Sequence, residues 1–210
     1  MKSLSRLRHL AMILENVKPH PNPKVYFEQY SLRGDDAARI LWFAGVVNDD
    51  ILGKRVLDAG CGTGVLGLGA VLLGAEMVLG VDLDDEALKV ALDNAKSLGL
   101  YFGICFVRAD ISHLPLAKRL DTIIQNPPFG VHRRGADRIF LEAAIGSAKV
   151  VYSLHKYTPS NHAFLSNFIS KLGGRLSSHL RFTITIPHTF NFHREVKRKV
   201  NVILYRILCV

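Results

Sequence analysis

The chain has 210 residues, 49% of them hydrophobic, which bounds it to one domain with at most a terminal extension and gives it apolar material for one sizeable core. Lysine and arginine outnumber acids 27 to 18, a formal net charge of +9 that favours a polyanionic partner. Apolar runs fall short of the roughly 20 residues that a membrane span needs, Arg8, His9 and Glu15 interrupt the apolar core of a secretory signal, and Cys61, Cys105 and Cys209 are too far apart for a CxxC zinc site or disulfide framework, so a cytoplasmic protein with no membrane and no metal of its own is expected.

Leu4, Leu7, Leu10, Ala11 and Leu14 recur at three- and four-residue spacing and predict an amphipathic helix over residues 2–16. Pro19, Pro21 and Pro23 then force an extended segment. The aromatic stretch Val25-Tyr26-Phe27-Glu28-Gln29-Tyr30 is expected to fold over a site, and a helix follows over residues 34–47 with Asp35 or Asp36 as its cap.

From Lys54 the pattern changes to short apolar runs alternating with helices, which reads as an α/β fold with a doubly wound, mostly parallel sheet. Strands are expected at 55–59, 77–81, 104–107, 121–125 and 149–153, with helices at 65–73, 84–98, 136–147 and 159–172. Two longer strands, 176–186 and 200–208, joined by the polar loop 187–199, would make an antiparallel edge hairpin, for seven strands in all. Residues 1–50 then form a helical, cofactor-covering extension and 51–210 the catalytic domain of a single globular unit.

Asp58-Ala59-Gly60-Cys61-Gly62-Thr63-Gly64 links the first strand of this sheet to a helix, the context in which glycines let a backbone approach a ligand. The spacing also satisfies the glycine pattern of nicotinamide and flavin enzymes, so it does not choose between cofactors. Asp82 stands at the end of the second strand, where a carboxylate can accept from both ribose hydroxyls, and Asp110 follows the third, where one can accept from an adenine amine. Asp84, followed by Asp85 and Glu86, reads as a helix cap.

Thr122-Ile123-Ile124-Gln125 reads as a buried parallel strand that must stop pairing at Asn126-Pro127-Pro128-Phe129, because neither proline has an N–H to donate. The strand therefore delivers an amide and an aromatic face to the carboxyl edge of the sheet, where ligands bind in open α/β folds. If the Asn126 side-chain oxygen and the Pro127 carbonyl each accept one N–H of a planar amino group, they hold a poor nucleophile in place without a strong base. Phe129 would stack on the base, and the base must be unpaired or flipped to enter.

The glycine loop, two acids and Asn-Pro-Pro-Phe, in that order, resemble S-adenosylmethionine-dependent methyltransferases with a class I, Rossmann-like fold that act on planar amino groups. With Phe27-Glu28-Gln29-Tyr30, Val151-Tyr152-Ser153-Leu154-His155-Lys156 and Phe192-His193 added, nearly the whole chain resembles the methyltransferase-like protein 5 group, adenine-N6 methyltransferases of small-subunit ribosomal RNA with archaeal relatives. The resemblance implies that Gln29 contacts the cofactor from the N-terminal segment. It implies that Asp58, Gly60, Gly62, Thr63 and Val65 line the methionine and ribose side, and that Asp82, Asp110 and Ile111 bind the ribose and adenine ends. Ser31-Leu32 stand where that group commonly has Pro-Thr, so a hydroxyl expected on the cofactor is missing or displaced to Ser31. The resemblance also implies a heterodimer with a small zinc-containing activator protein.

The candidate RNA contacts are Arg133 and Arg134 in the loop after Phe129, Lys156, and Arg194, Lys197, Arg198 and Lys199 in the basic tail. Residues 175–210 carry Arg175, Arg181, Arg194, Lys197, Arg198, Lys199 and Arg206 against Glu195 alone, two-thirds of the net charge. Asn-Pro-Pro-Phe equally suits a glutamine-N5 methyltransferase of a release factor or a DNA adenine methyltransferase, and a non-catalytic RNA-binding scaffold would keep the fold. The basic tail favours RNA over the release factor.

Overall fold

The computed structural model describes residues 7–24, 29–114, 119–129, 135–187 and 197–209. Its first helix, α1 (Leu7–Leu14), buries Leu10, Ala11 and Leu14 of the predicted stripe, whereas Leu7, in its first turn, is exposed; Leu4 lies outside the described residues. The second, α2 (Gly34–Trp42), crosses α1 so closely that a Cβ on Gly34 would stand 2.6 Å from both Ala11 O and Glu15 N. Neither Asp35 nor Asp36 is the cap: the N-cap is Arg33, and Glu15 Oε2 accepts the Gly34 N–H at 2.8 Å. Both acids sit in the first turn, where a negative charge still opposes the positive helix end. The expected continuation to Val47 forms, but Phe43–Val47 is a π-type turn, because Asn48 Nδ2 donates to Phe43 O at 2.7 Å and takes a carbonyl from the helical ladder.

Seven strands follow: β1 (Arg55–Ala59), β2 (Met77–Asp82), β3 (Ile104–Arg108), β4 (Leu120–Gln125), β5 (Ala148–Lys156), β6 (Gly174–Pro187) and β7 (Lys197–Cys209). Between them lie α3 (Val65–Leu72), α4 (Asp85–Ser97), α5 (Ala136–Ser147) and α6 (Pro159–Lys171). The sheet order is β3-β2-β1-β4-β5-β7-β6, parallel through β5, with β7 antiparallel to both neighbours. The strand order reverses between β1 and β4, and such a switch point opens a crevice at the carboxyl edge. No helix among the described residues is long and apolar enough to cross a membrane.

Each face of the sheet carries its own core. Leu10, Leu41, Leu68 and Ala95 from α1–α4 pack with Val56, Val78, Ile124 and Leu204, while Leu141 and Leu165 from α5 and α6 pack with Leu57, Ile123, Val151 and Ile207. The central strands read as near-continuous apolar runs because they are buried on both sides. β5 is longer than expected because β7 supplies hydrogen bonds as far as Lys156, paired with Val202. Pairing of β4 with β5 ends at Gln125 opposite Ser153, immediately before Asn126 and the two prolines. β5 therefore outruns β4 and leaves a step in the sheet edge at Asn126.

Candidate active site

The glycine loop turns through three left-handed residues, Gly60 (φ +68°), Gly62 (φ +53°) and Gly64 (φ +88°), which side chains with a Cβ adopt only under strain. A Cβ at Gly60 would also meet Phe140 at 2.9 Å, whereas one at Gly62 would have open space around it. The loop is fixed from beneath. Asp82 Oδ2 accepts the Gly62 N–H at 2.8 Å, Asp58 Oδ2 accepts the Gly67 N–H at 2.7 Å, and Asn94 Nδ2 donates to Thr63 O at 3.0 Å. Val65 opens α3, so the free N–H end of that helix faces the crevice.

Burial dominates the acids under the loop. It pushes Asp58 up to about 7, against the Gly67 hydrogen bond and with help from the Asp82 charge. Burial also raises Asp82, opposed by the backbone N–H groups of Asp84, Gly62 and Leu83. Cys61 is driven well above the ordinary thiol value by burial and then by the Asp58 and Asp82 charges, so it is no nucleophile.

Asp84 caps α4 as expected, accepting the Glu86 N–H, and it also anchors the N-terminal segment. Gln29 Nε2 and Lys24 Nζ each reach Asp84 Oδ2 at 2.9 Å, and His20 Nε2 lies 3.3 Å from it. Burial, which would raise the Asp84 carboxyl, is outweighed by the hydrogen bonds from Gln29 and Lys24, and the group is held well below the usual carboxylate range. Gln29 Oε1 in turn accepts the Lys24 N–H at 2.7 Å. One end of the Gln29 amide is thus tied to Asp84 at the start of α4 and the other to the segment itself, although the residue lines the cleft.

The resulting cleft has a volume of about 250 Å³. Its walls include Gln29, Asp58, Gly60, Gly62, Thr63, Val65, Asp82, Asp110, Ile111 and Asn126, so every residue expected on the cofactor meets there. Asp110 does two things: it borders the cleft and caps the turn Ile111–His113 through the Ser112 N–H at 2.9 Å. Pro128 joins the wall, while Pro127 is buried and Phe129 packs on Tyr30, ring centroids 5.4 Å apart. Ser31 and Leu32 also line the cleft.

Three site residues were missed by sequence reasoning. Tyr30 donates from its hydroxyl to Asn126 Oδ1 at 2.6 Å, Phe140 backs Gly60, and Asn94 ties α4 to both Thr63 and Lys18. The aromatic Phe-Glu-Gln-Tyr run was a usable signal for Tyr30; nothing in the sequence marks the other two. Of the candidate RNA contacts, Lys156 and Lys199 are exposed outside the cleft. Lys197 and Arg198 lie on the β7 backbone, and Arg133, Arg134 and Arg194 fall outside the described residues. Arg206, counted in the basic tail, is corrected: its Nε donates to Asp50 Oδ2 at 2.8 Å, so the charge is neutralised beneath the surface. Among the described residues no cluster of His, Cys, Asp and Glu could hold a metal.

The family model for ribosomal protein L11 methyltransferase (PrmA) matches residues 42–126, the stretch from α2 to Asn126. The chain is 34% identical to the rRNA N6-adenosine-methyltransferase METTL5 of Danio rerio, over 94% of this chain and 96% of that protein. The chain belongs to the METTL5 family. The Drosophila melanogaster member is also 34% identical, over 96% of this chain and 95% of its own length. The solved structure of PH1948 from Pyrococcus horikoshii, a candidate RNA methyltransferase, matches with a TM-score of 0.89 at 39% identity and covers 99% of each chain. As a METTL5-family member with a class I fold, the protein is a methyltransferase and its cofactor is S-adenosylmethionine. The residues present fit that molecule: left-handed glycines with open space beside Gly62, a helix N-terminus, and carboxylates from two successive strand ends border one cleft.

Proposed function

We propose that the protein transfers a methyl group to the N6 amine of an unpaired adenosine in small-subunit ribosomal RNA, with Asn126-Pro127-Pro128-Phe129 as the acceptor clamp. The observation that carries this reading is the position of Asn126, on the cleft wall at the step where β4 stops and β5 continues. METTL5 relatives named for rRNA N6-adenosine methylation align along nearly the whole chain, whereas the L11 methyltransferase model stops at Asn126. The basic β6–β7 region lies beyond that limit, which supports RNA over a protein substrate.

Bound S-adenosylmethionine supplies an electrophilic methyl group. Asp82 and Asp110 would hold its ribose and adenine ends, Gly60, Gly62, Thr63 and Val65 its methionine and ribose side, and Gln29 would close over it. Asn126 Oδ1 and the Pro127 carbonyl would each accept one N–H of the target amine, which fixes the nitrogen and increases its electron density. Phe129 would stack on the adenine, a contact worth about 1–3 kcal/mol. The surplus proton leaves after transfer, so orientation replaces a strong base. Residues 1–50 act as the covering extension and 51–210 as the catalytic domain, with Arg133, Arg134, Lys156, Arg194, Lys197, Arg198 and Lys199 guiding the RNA.

Asn126→Ala tests the clamp: S-adenosylmethionine binding should persist while methyl transfer falls about 100-fold or more. Substantial surviving turnover contradicts the assigned role.

A heterodimer with a small zinc-containing activator belongs to the same reading. Among the described residues β3 is an edge strand with no neighbour on its outer side, and around it Phe102 is 99% exposed, Tyr101 47% and Val107 44%. An unpaired edge beside bare aromatic surface suits a partner that adds a strand and covers those side chains. A chain that is monodisperse, stable and fully active alone overturns an obligate partner.

A further inference from the structure

Between Glu142 and Glu195 the sequence contains no acidic residue, and this stretch builds β5, α6 and β6. Within that acid-free region the Arg181 guanidinium lies over the Tyr157 ring, 5.2 Å from its centroid, and its Nη1 donates to the Tyr157 hydroxyl at 3.0 Å. Arg181 has no ion pair among the described residues. The row continues: the Tyr157 and His162 rings are 6.2 Å apart, His162 and His179 5.9 Å, and His162 stacks on buried Tyr205 at 5.7 Å and 13°. Arg181 and His179 are exposed, while Tyr157 and His162 are half-buried.

A solubilising surface arginine normally stays mobile, because ordering so long a side chain costs conformational entropy. Here the guanidinium carbon already sits over the Tyr157 ring, and a hydrogen bond to the Tyr157 hydroxyl restrains the group. A nucleobase stacking on the outer face would meet a planar cation whose ordering cost has been met within the fold.

The location suits an RNA that enters the cleft. Tyr157 follows the last residue of β5, on the same carboxyl edge as Asn126 at the end of β4, and its N–H donates to Asn201 O at 2.8 Å. Arg181 lies on β6, three strand positions from β4, a lateral distance of about 15 Å and within reach of a few nucleotides of single strand.

We propose that Tyr157, Arg181, His162 and His179 form a stacking shelf for an unpaired nucleotide flanking the methylated one, which rests on the RNA reading above. The test measures steady-state methylation of purified small-subunit ribosomal RNA by the wild-type enzyme, with its activator where activity requires one, and by Arg181→Ala and Arg181→Lys. The expected result is a KM for RNA raised about tenfold in Arg181→Ala, with kcat, S-adenosylmethionine affinity and melting temperature near wild type, and no recovery in Arg181→Lys, which keeps the charge but not the plane. An unchanged KM in Arg181→Ala, or full recovery in Arg181→Lys, overturns the shelf and leaves the RNA reading standing. A wild-type enzyme that leaves the RNA unmethylated and modifies a release-factor glutamine overturns both.

Discussion

The Tyr30 hydroxyl donates a 2.6 Å hydrogen bond to Oδ1 of Asn126, while its ring packs against that of Phe129. One residue of the N-terminal segment thus touches both ends of the acceptor tetrapeptide. A side-chain amide has two ends of nearly equal shape, and a hydroxyl donating to the oxygen determines which end is which. A carbonyl oxygen has two lone pairs, so one remains for the amine of a substrate. Tyr30→Phe keeps the ring and frees the amide. Its kcat should fall about 10-fold with RNA KM and S-adenosylmethionine affinity unchanged, as measured by steady-state kinetics and calorimetry. A kcat that rises would show instead that the hydroxyl competes with the substrate.

Gly60 and Gly62 separate two costs. Both need a left-handed backbone, for which a Cβ costs about 1–2 kcal/mol. Only Gly60 also faces Phe140, 2.9 Å from where its Cβ would lie. Both alanine variants should bind S-adenosylmethionine more weakly in calorimetry, and Gly60→Ala should have the lower melting temperature.

Asp58 gives the fold a pH dependence. Its folded pKa of about 7 lies above the ordinary value of 3.8, so the native state keeps this proton over a range in which the unfolded chain has lost it. The contribution is complete below the unfolded value and disappears as the pH rises through about 7. The melting temperature of the cofactor-free wild type should therefore decline relative to Asp58→Asn between about pH 5 and about pH 8. The asparagine can still accept from Gly67 but cannot ionise, and parallel melting curves for the two proteins would contradict the assignment.

Arg206 is predicted to serve stability. Asp50 and Arg206 are largely buried with Tyr152, whose hydroxyl also donates to Asp50, so Arg206→Ala strands a carboxylate and should cost about 3 kcal/mol in chemical denaturation. The salt dependence of RNA binding should be unchanged, unlike that of Lys199→Ala.

Residues that act locally were legible in the sequence. β1, β2 and β4 announced themselves as short apolar runs, the glycine loop by its place between a strand and a helix, and Asp84 by the acids of the first turn of α4. Contacts between distant segments were not. Tyr30 and Asn126 lie 96 positions apart, Arg206 and Asp50 156, and composition counts a charge without showing its partner. The extra length of β5 was hidden for the same reason, since β7 supplies its pairing. The π-type turn at Phe43–Val47 depends on where one Asn48 side chain points, which no periodicity encodes.

In the proposed reaction the clamp at Asn126 presents the N6 amine of a ribosomal adenosine for methylation. The most direct test incubates the enzyme and its Asn126→Ala variant with labelled S-adenosylmethionine, small-subunit ribosomal RNA and a release factor, then locates the methylated atom by mass spectrometry. The expected product is N6-methyladenosine in the RNA, formed by the wild type and lost in the variant, with the release factor unmodified. Label on glutamine, or on any RNA atom other than adenine N6, would contradict it.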